Sequence, residues 1–214
     1  MDSALGTPGA YLAVQGASVD ERICAGGPAA VVRSTPFGPV VVVGSIVSGR
    51  PKIIRVLLSR PGQSVEDLMK KAFPLVRSAG IPPEIEALAG DIQAFLSGED
   101  IRFSLSMVSL ELCPGFQQEV LRAEHRIPRG AVSTYADIAG HLGRPCAARA
   151  VGNALARNPF PVIIPCHRAI RSDGSLAGFQ GGVAMKRRLL EMEGIEFAYN
   201  GNVALKSGGV RYRF

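Results

Sequence analysis

The chain has 214 residues, 47% of them hydrophobic, which suits one large or two small globular domains with real cores. Cysteines at 24, 113, 146 and 166 show no C-x-x-C spacing and histidines at 125, 141 and 167 no ligand cluster. With no apolar run of the roughly 18 residues a membrane span needs, this argues against a disulfide framework, a metal site and a membrane protein. The net charge of +6 is uneven: residues 1–114 hold 10 Lys+Arg against 11 Asp+Glu, whereas residues 115–214 hold 14 against 7, as suits a polyanion partner for the second half.

In chain order, residues 1–34 are rich in Gly, Ala, Ser and Pro and read as a flexible leader, with one short strand near Tyr11–Val14. No basic segment precedes an apolar run there, so the expected setting is a reducing cytoplasm. Pro39–Val47 and Lys52–Ser59, separated by Ser48-Gly49-Arg50-Pro51, predict a β-hairpin. Ser64 predicts the cap of a helix over Val65–Phe73, with Asp67 as a variant capping box. Pro82-Pro83 opens a second helix with Ile85, Leu88, Ile92 and Phe95 on one face, stopped by Ser97-Gly98-Glu99-Asp100. Residues 35–110 thus read as a small α/β domain without a catalytic constellation.

Pro114-Gly115 marks the start of a second domain, 115–195. Phe116–His125 predicts a helix, Ser133 or Thr134 caps another over Tyr135–His141, and Ala147–Arg157 predicts a third that ends at Asn158-Pro159. The last two, joined through Gly143-Arg144-Pro145, have the outline of a helix-turn-helix. Ala147, Ala148, Ala150, Gly152, Ala154 and Ala156 leave the second of them slim. It suits either close helix packing or entry into a minor groove about 6 Å wide, with Arg149, Asn153 and Arg157 projecting.

Val162-Ile163-Ile164, flanked by Pro161 and Pro165, reads as a brief buried strand or extended segment that delivers Cys166 and His167 into a turn. Adjacent Cys and His suit activated thiol chemistry, because the thiolate is the nucleophile and a nearby base favours it. A structural cysteine beside a surface histidine is the plainer alternative. Gly174 and Gly178-Phe179-Gln180-Gly181-Gly182 form a glycine-rich loop able to bring backbone N–H groups to a planar ligand. Val183–Glu193 predicts a helix with Met185, Leu189 and Met192 inward, Lys186-Arg187-Arg188 outward and Gly194 as its stop. In the tail, 196–214, Asn200-Gly201 predicts a hairpin of Glu196–Tyr199 against Asn202–Leu205.

Residues from about 116 to 194 closely resemble the C-terminal domain of the O6-alkylguanine-DNA alkyltransferases, the methylated-DNA–protein-cysteine methyltransferases. The resemblance rests on Ile127-Pro-Arg-Gly130, Thr134-Tyr135, Ala148-Arg-Ala-Val-Gly152, Asn158-Pro159, Ile164-Pro-Cys-His-Arg168, Gly181-Gly182 with Lys186, and Glu193-Gly194, in order and at matching spacing. The first domain matches only in general form. The fold implied is α+β: a small ribonuclease-H-like α/β N-terminal domain, then a mostly helical, winged-helix-like helix-turn-helix domain.

The same resemblance implies the roles. Cys166 is the acceptor nucleophile, His167 draws the thiol proton away through water, and Glu193 orients that histidine. Asn158 steadies the turn, Tyr135 rotates the phosphate and protonates the departing guanine, and Arg149 replaces the flipped nucleotide. Ala147, Ala148, Thr134, Tyr135 and Asn153 complete the expected DNA surface. Phe179, Gln180, Gly181, Leu155, Pro161, Ala169 and Lys186 form the expected pocket. Phe179 stands where many members carry Tyr, so a phenol hydrogen bond to the base is replaced by ring cover of the alkyl group. Cys146 is expected to pack, not to accept an alkyl group.

The implied activity is single-turnover repair of O6-alkylguanine in duplex DNA, with O4-alkylthymine as a further substrate, by a monomer without metal or organic cofactor, cytoplasmic or nucleoid-associated. A non-catalytic alkylated-DNA-binding protein would keep the fold without the acceptor. A helix-turn-helix regulator would need longer polar side chains on the recognition helix than this alanine-rich one offers.

Overall fold

A computed structural model of the chain describes residues 27–60, 62–205 and 211–214. Its valine-rich start builds a three-stranded antiparallel sheet in the order β1 (Ala29–Arg33), β2 (Val40–Val47), β3 (Arg50–Leu58). β2 and β3 are the predicted hairpin, and Ser48 and Gly49 close it with two consecutive positive φ angles, 52° and 74°. β1 corrects the leader reading. Residues 29–33 pair with β2, Val31 opposite Val42, so cross-strand valine packing prevails over a local composition that favours disorder. The strand expected at Tyr11–Val14 lies outside the described residues.

β2 reads as a continuous apolar run because both faces are covered. Val40 and Val42 pack in one buried cluster with Ile85, Leu88, Ile92 and Phe95 of α2 (Pro83–Leu96), while Val41, Val43 and Val47 pack in another with Val65 and Leu68 of α1 (Val65–Ala72). Ser64 caps α1 by accepting from the Asp67 N–H at 3.3 Å. Gly44, at a bulge in β2, lets α2 approach: a Cβ there would lie 2.7 Å from Ile85 Cδ1.

The second half holds α3 (Gly115–His125), β4 (Ser133–Thr134), α4 (Tyr135–His141), α5 (Ala148–Ala156), β5 (Ala169–Ile170) and α6 (Val183–Met192). β4 pairs in parallel with β5, Ser133 opposite Ala169, which fixes the start of α4 beside the chain leaving the Cys166 turn. Thr134 and Asp137 form a reciprocal capping box, and Asp137 also accepts two bonds from Arg211 at 2.8 Å. Residues 211–214 thereby fold back on α4, with Phe214 stacked on His141 at 4.2 Å. The tail hairpin forms, Ala198 N–H donating to Asn202 O at 2.8 Å and Ala204 N–H to Glu196 O at 3.0 Å.

The two halves share one core. The cluster that holds β2 and α2 continues through Val120, Leu121, Ile138, Val151, Leu155 and Leu189. β3 also donates the Val56 N–H to Pro159 O at 2.8 Å, tying the sheet to the turn before Cys166. Among the described residues no helix is long and apolar enough to cross a membrane.

Candidate active site

The segment before Cys166 is not the extended run expected from its β-branched residues. Val162 takes φ 77°, a left-handed conformation that strains a β-branched residue, and Ile164 N–H turns back to Phe160 O at 2.9 Å. Prolines at 159, 161 and 165 remove three N–H donors and fix three φ angles, so no ladder forms and the chain coils tightly instead. Cys166–Arg168 is a single 3₁₀ turn, every residue of it buried.

Asn158 braces this coil with all of its side chain. Its Nδ2 donates to Ile164 O at 3.0 Å and to Cys166 Sγ at 3.2 Å, while its Oδ1 accepts the Phe160 N–H at 2.9 Å. Burial pushes the Cys166 thiol up to about 11, with Glu124 adding to the rise and the Asn158 donor and Lys186 opposing it.

His167 is fully buried and bonds through Nε2 to Glu193 Oε1 at 3.0 Å, while its Nδ1 has no partner among the described residues. Glu193 is ionised: burial opposes its charge, but bonds from His167 and Arg168 hold its carboxyl down at about 2. A carboxylate only accepts, so Nε2 carries the proton and Nδ1 presents a lone pair. Burial above all keeps the ring neutral, depressing its pKa despite Glu193. Arg168 completes the cluster, its Nε and Nη2 gripping the two Glu193 oxygens at 2.9 and 2.7 Å and its Nη1 donating to Ile127 O at 2.6 Å.

Lys186 corrects the outward reading of its helix. It is fully buried and donates to Ala169 O at 2.6 Å, while Arg187 is half-buried and Arg188 exposed. Gly182, at φ 88°, allows the chain to turn from the glycine loop into α6. Within that loop the half-buried Phe179 ring meets the His167 ring edge-on at 6.2 Å, and Gln180 Oε1 accepts the Leu58 N–H of β3 at 3.3 Å. Gly181 is buried against Met185. Leu155, Pro161 and Ala169 are buried around the Cys166 turn.

Tyr135 opens α4 half-buried, with Gly152 of α5 beneath its ring, where a Cβ would sit 3.9 Å from Cδ1. Burial first, then the nearby Glu124 and Cys166, raises its phenol well above the usual range. α5 presents Arg149, Asn153 and Arg157 to solvent, with Ala147 and Ala148 half-buried at its start. Thr134 is not on that surface. It is fully buried, its hydroxyl committed to Asp137, and its work is to set where α4 begins.

Three residues had no role assigned from the sequence: Arg168, quoted only as part of its motif, Gln117 and Glu124. Gln117 Nε2 donates to Ala154 O and Arg157 O at 3.0 and 3.1 Å and so finishes the C-terminus of α5. Gln117, Val120, Leu121 and Glu124 follow the i, i+3, i+4, i+7 spacing of one helix face, and all four are buried. That phase was the available signal, masked by the polarity of its two ends.

A family model for the DNA-binding domain of 6-O-methylguanine DNA methyltransferase matches residues 115–195. The methylated-DNA–protein-cysteine methyltransferase of Methanosarcina acetivorans is 41% identical over 163 residues, covering 75% of this chain and 94% of that protein. The chain belongs to this methyltransferase family. A family member from Methanothermobacter thermautotrophicus is 46% identical over 114 residues, 53% of this chain, and the match spans 64% of that relative's length. The O6-methylguanine methyltransferase structure of Mycobacterium tuberculosis is similar with a TM-score of 0.63 and 30% identity, covering 78% of this chain and 92% of that one. The same organism's OGT in complex with DNA gives 0.61 and 31%, covering 76% and 90%. The family's DNA-binding stretch contains Tyr135, Arg149, Asn158, Cys166, His167, Lys186 and Glu193, hence both the thiol cluster and the exposed face of α5.

Proposed function

We propose that this protein performs direct-reversal DNA repair, taking the alkyl group of an O6-alkylguanine in duplex DNA onto Cys166 once per molecule. The observation that carries this reading is the arrangement of Asn158, Cys166, His167 and Glu193: a buried thiol held by an amide donor, beside a neutral imidazole whose lone pair is unused and whose far nitrogen is tied to a carboxylate. It follows the nucleophile–base–orienter logic of covalent catalysis.

In this mechanism His167 Nδ1 takes the thiol proton through a water. The Cys166 sulfur pair attacks the alkyl carbon, the carbon–O6 bond breaks with its electrons passing to the purine, and Tyr135 supplies the proton that lets neutral guanine leave. A thioether is a very poor leaving group, so the sulfur is not regenerated. Phe179 at the mouth and the apolar Leu155, Pro161 and Ala169 suit a dry pocket for an alkylated base, and the N–H of Gln180 is the candidate donor to O6.

For the DNA we assign α4 and α5 as a helix-turn-helix within a winged-helix-like domain spanning 115–195, and residues 35–110, extended by β1, as a ribonuclease-H-like unit that steadies it. The slim, exposed face of α5 suits the minor groove, with Arg149 filling the gap left by an extruded nucleotide. Alkylation weakens pairing, which lowers the few kilocalories that extrusion otherwise requires.

Intact-mass measurement after incubation with O6-methylguanine duplex tests this. One methyl group per chain, on Cys166 and lost in Cys166→Ser, is expected. Several turnovers per molecule, or a methyl on Cys146, would overturn it.

A further inference from the structure

Glu124 lies in the last turn of α3 with its side chain wholly excluded from solvent, and neither carboxyl oxygen has a hydrogen-bond partner among the described residues. A buried polar group without partners is expensive, and native proteins retain few of them. The charged and titratable groups around this one are those of the candidate active site. Ile127 ties Glu124 to that site, its N–H donating to Glu124 O at 3.1 Å and its O accepting Arg168 Nη1 at 2.6 Å, while Lys186 Nζ of α6 donates to Ala169 O, next after Arg168 in the chain, at 2.6 Å. The charges of Lys186 and Arg168 oppose the rise of the Glu124 carboxyl, and Glu124 raises Cys166 and Tyr135 of α4. Arg171 acts on Lys186 and Tyr135 from beyond β5, and His167 and Glu193 close the far side of Arg168. Lys186 is as buried as Glu124, and among the described residues its ammonium donates to Ala169 O.

Building on the assignment of Cys166 as acceptor, we propose that Glu124 is a positioning residue for it: with Lys186 it forms a buried acid–amine couple beside the thiol, and the protons the couple holds set the charge against which the thiolate forms. No bond to Glu124 is made or broken in the reaction; its effect is on the ionisation of sulfur.

The two members titrate together. Burial pushes the Glu124 carboxyl up to about 8, against the pull of Lys186 and Arg168, and burial draws the Lys186 ammonium down to about 8. Below that pH the acid is neutral and the amine charged, a net positive couple that favours the thiolate. Above it the acid is charged and the amine neutral, and the couple opposes the thiolate. The protons belong to the pair and not to either side chain alone.

The test measures the thiol directly, in the full chain, apart from any alkyl transfer. Cys166 is reacted with iodoacetamide at pH 6.5 and pH 9, and its modification is followed by peptide mass to separate it from the exposed Cys146. Glu124→Gln keeps the shape and stays neutral. It is expected to react at the wild-type rate at pH 6.5 and about tenfold faster at pH 9, the effect of removing a neighbouring like charge worth roughly one pKa unit. Glu124→Leu should behave as Glu124→Gln, and Lys186→Met should slow the reaction at pH 6.5. Equal rates for wild type and both Glu124 variants at pH 9 would overturn the proposal, as would a gain in Glu124→Leu without one in Glu124→Gln, which would mark a packing effect. Transfer from free O6-benzylguanine is followed in parallel. If that transfer fails while the thiol responds as expected, the couple stands and the acceptor assignment falls.

Discussion

His167 donates its Nε2–H to Glu193 Oε1 at 3.0 Å, and the carboxylate that accepts this bond is the one Arg168 grips by both oxygens. One carboxylate thus sets the tautomer of the candidate base and neutralises a buried guanidinium. Glu193→Gln removes both services at once. It leaves the buried Arg168 charge without a counter-charge, which typically costs about 3–5 kcal/mol, and removes the preference for the Nδ1 lone pair, worth about 10²–10⁴-fold in a general-base step. Urea unfolding and single-turnover transfer from O6-benzylguanine check the two effects separately. A variant as stable as wild type would show that the Arg168 pair is not the buried one described.

Asn158 spends three hydrogen bonds on the coil around Val162. In Asn158→Ala the Phe160 N–H loses its acceptor, Cys166 Sγ loses the amide donor, and Ile164 O keeps only the Cys166 N–H at 2.8 Å, so a loss of about 1–3 kcal/mol is expected. The donor to sulfur opposes the rise of the thiol pKa, so its loss should also slow iodoacetamide at Cys166 at pH 8. Lower stability with unchanged thiol reactivity would confine Asn158 to a bracing role.

Much of this was legible in the sequence, for local reasons. Ser64, Thr134 and Gly194 punctuate helices by chemistry that acts within a few residues, and the helices they bound came out within a residue or two. The thiol cluster was legible because motif spacing carried it. What failed depends on tertiary packing. Val162-Ile163-Ile164 has β-branched composition, yet three prolines and the Asn158 brace force a coil. Val31 pairs as a strand only because Val42 stands opposite. Lys186 reads as a surface charge, and Glu124 carries no signal of its own, until α3 and α6 pack against the Cys166 turn and bury both.

Arg149 stands exposed on α5, whereas Arg144 pairs with Glu119 at 2.9 Å and lies over the Phe116 ring at 5.1 Å. Arg149→Ala should slow repair of O6-methylguanine duplex by roughly tenfold or more, part of the few kilocalories that extrusion requires, and leave transfer from free O6-benzylguanine almost unchanged. Equal losses on both substrates would place Arg149 in the support of the pocket.

Duplex affinity should also fall steeply with salt, with a log–log slope near −0.9 for each phosphate neutralised. Arg157→Ala should flatten that slope by about one if its guanidinium meets a phosphate. Arg144→Ala should flatten it less, since Glu119 already offsets that charge. A flat salt dependence in the wild-type chain would mean that the basic excess of residues 115–214 faces something other than DNA.

Stability against pH offers a check on Glu124 that needs no substrate. Its folded pKa of about 8 lies above the unfolded 4.5, so between those values the native state holds the extra proton and stability falls as pH rises. Lys186 has the opposite sign: its folded value of about 8 lies below 10.5, so above pH 8 the unfolded chain holds the extra proton and stability recovers. His167, depressed by burial, makes its contribution below the ordinary 6.5, and the raised Cys166 makes its own only from about 9 upward. The window from pH 6.5 to 8.5 therefore isolates the couple. Wild type should lose stability from pH 6.5 to 8 and then begin to regain it, read as a urea midpoint with a minimum near pH 8 at constant m-value. Glu124→Leu should be more stable than wild type at pH 8 by about 1–3 kcal/mol, because it removes a buried group with no partner. Its stability should rise with pH over the same window, since only Lys186 remains to titrate there. Parallel curves for wild type and Glu124→Leu would show that Glu124 does not change ionisation inside the folded protein.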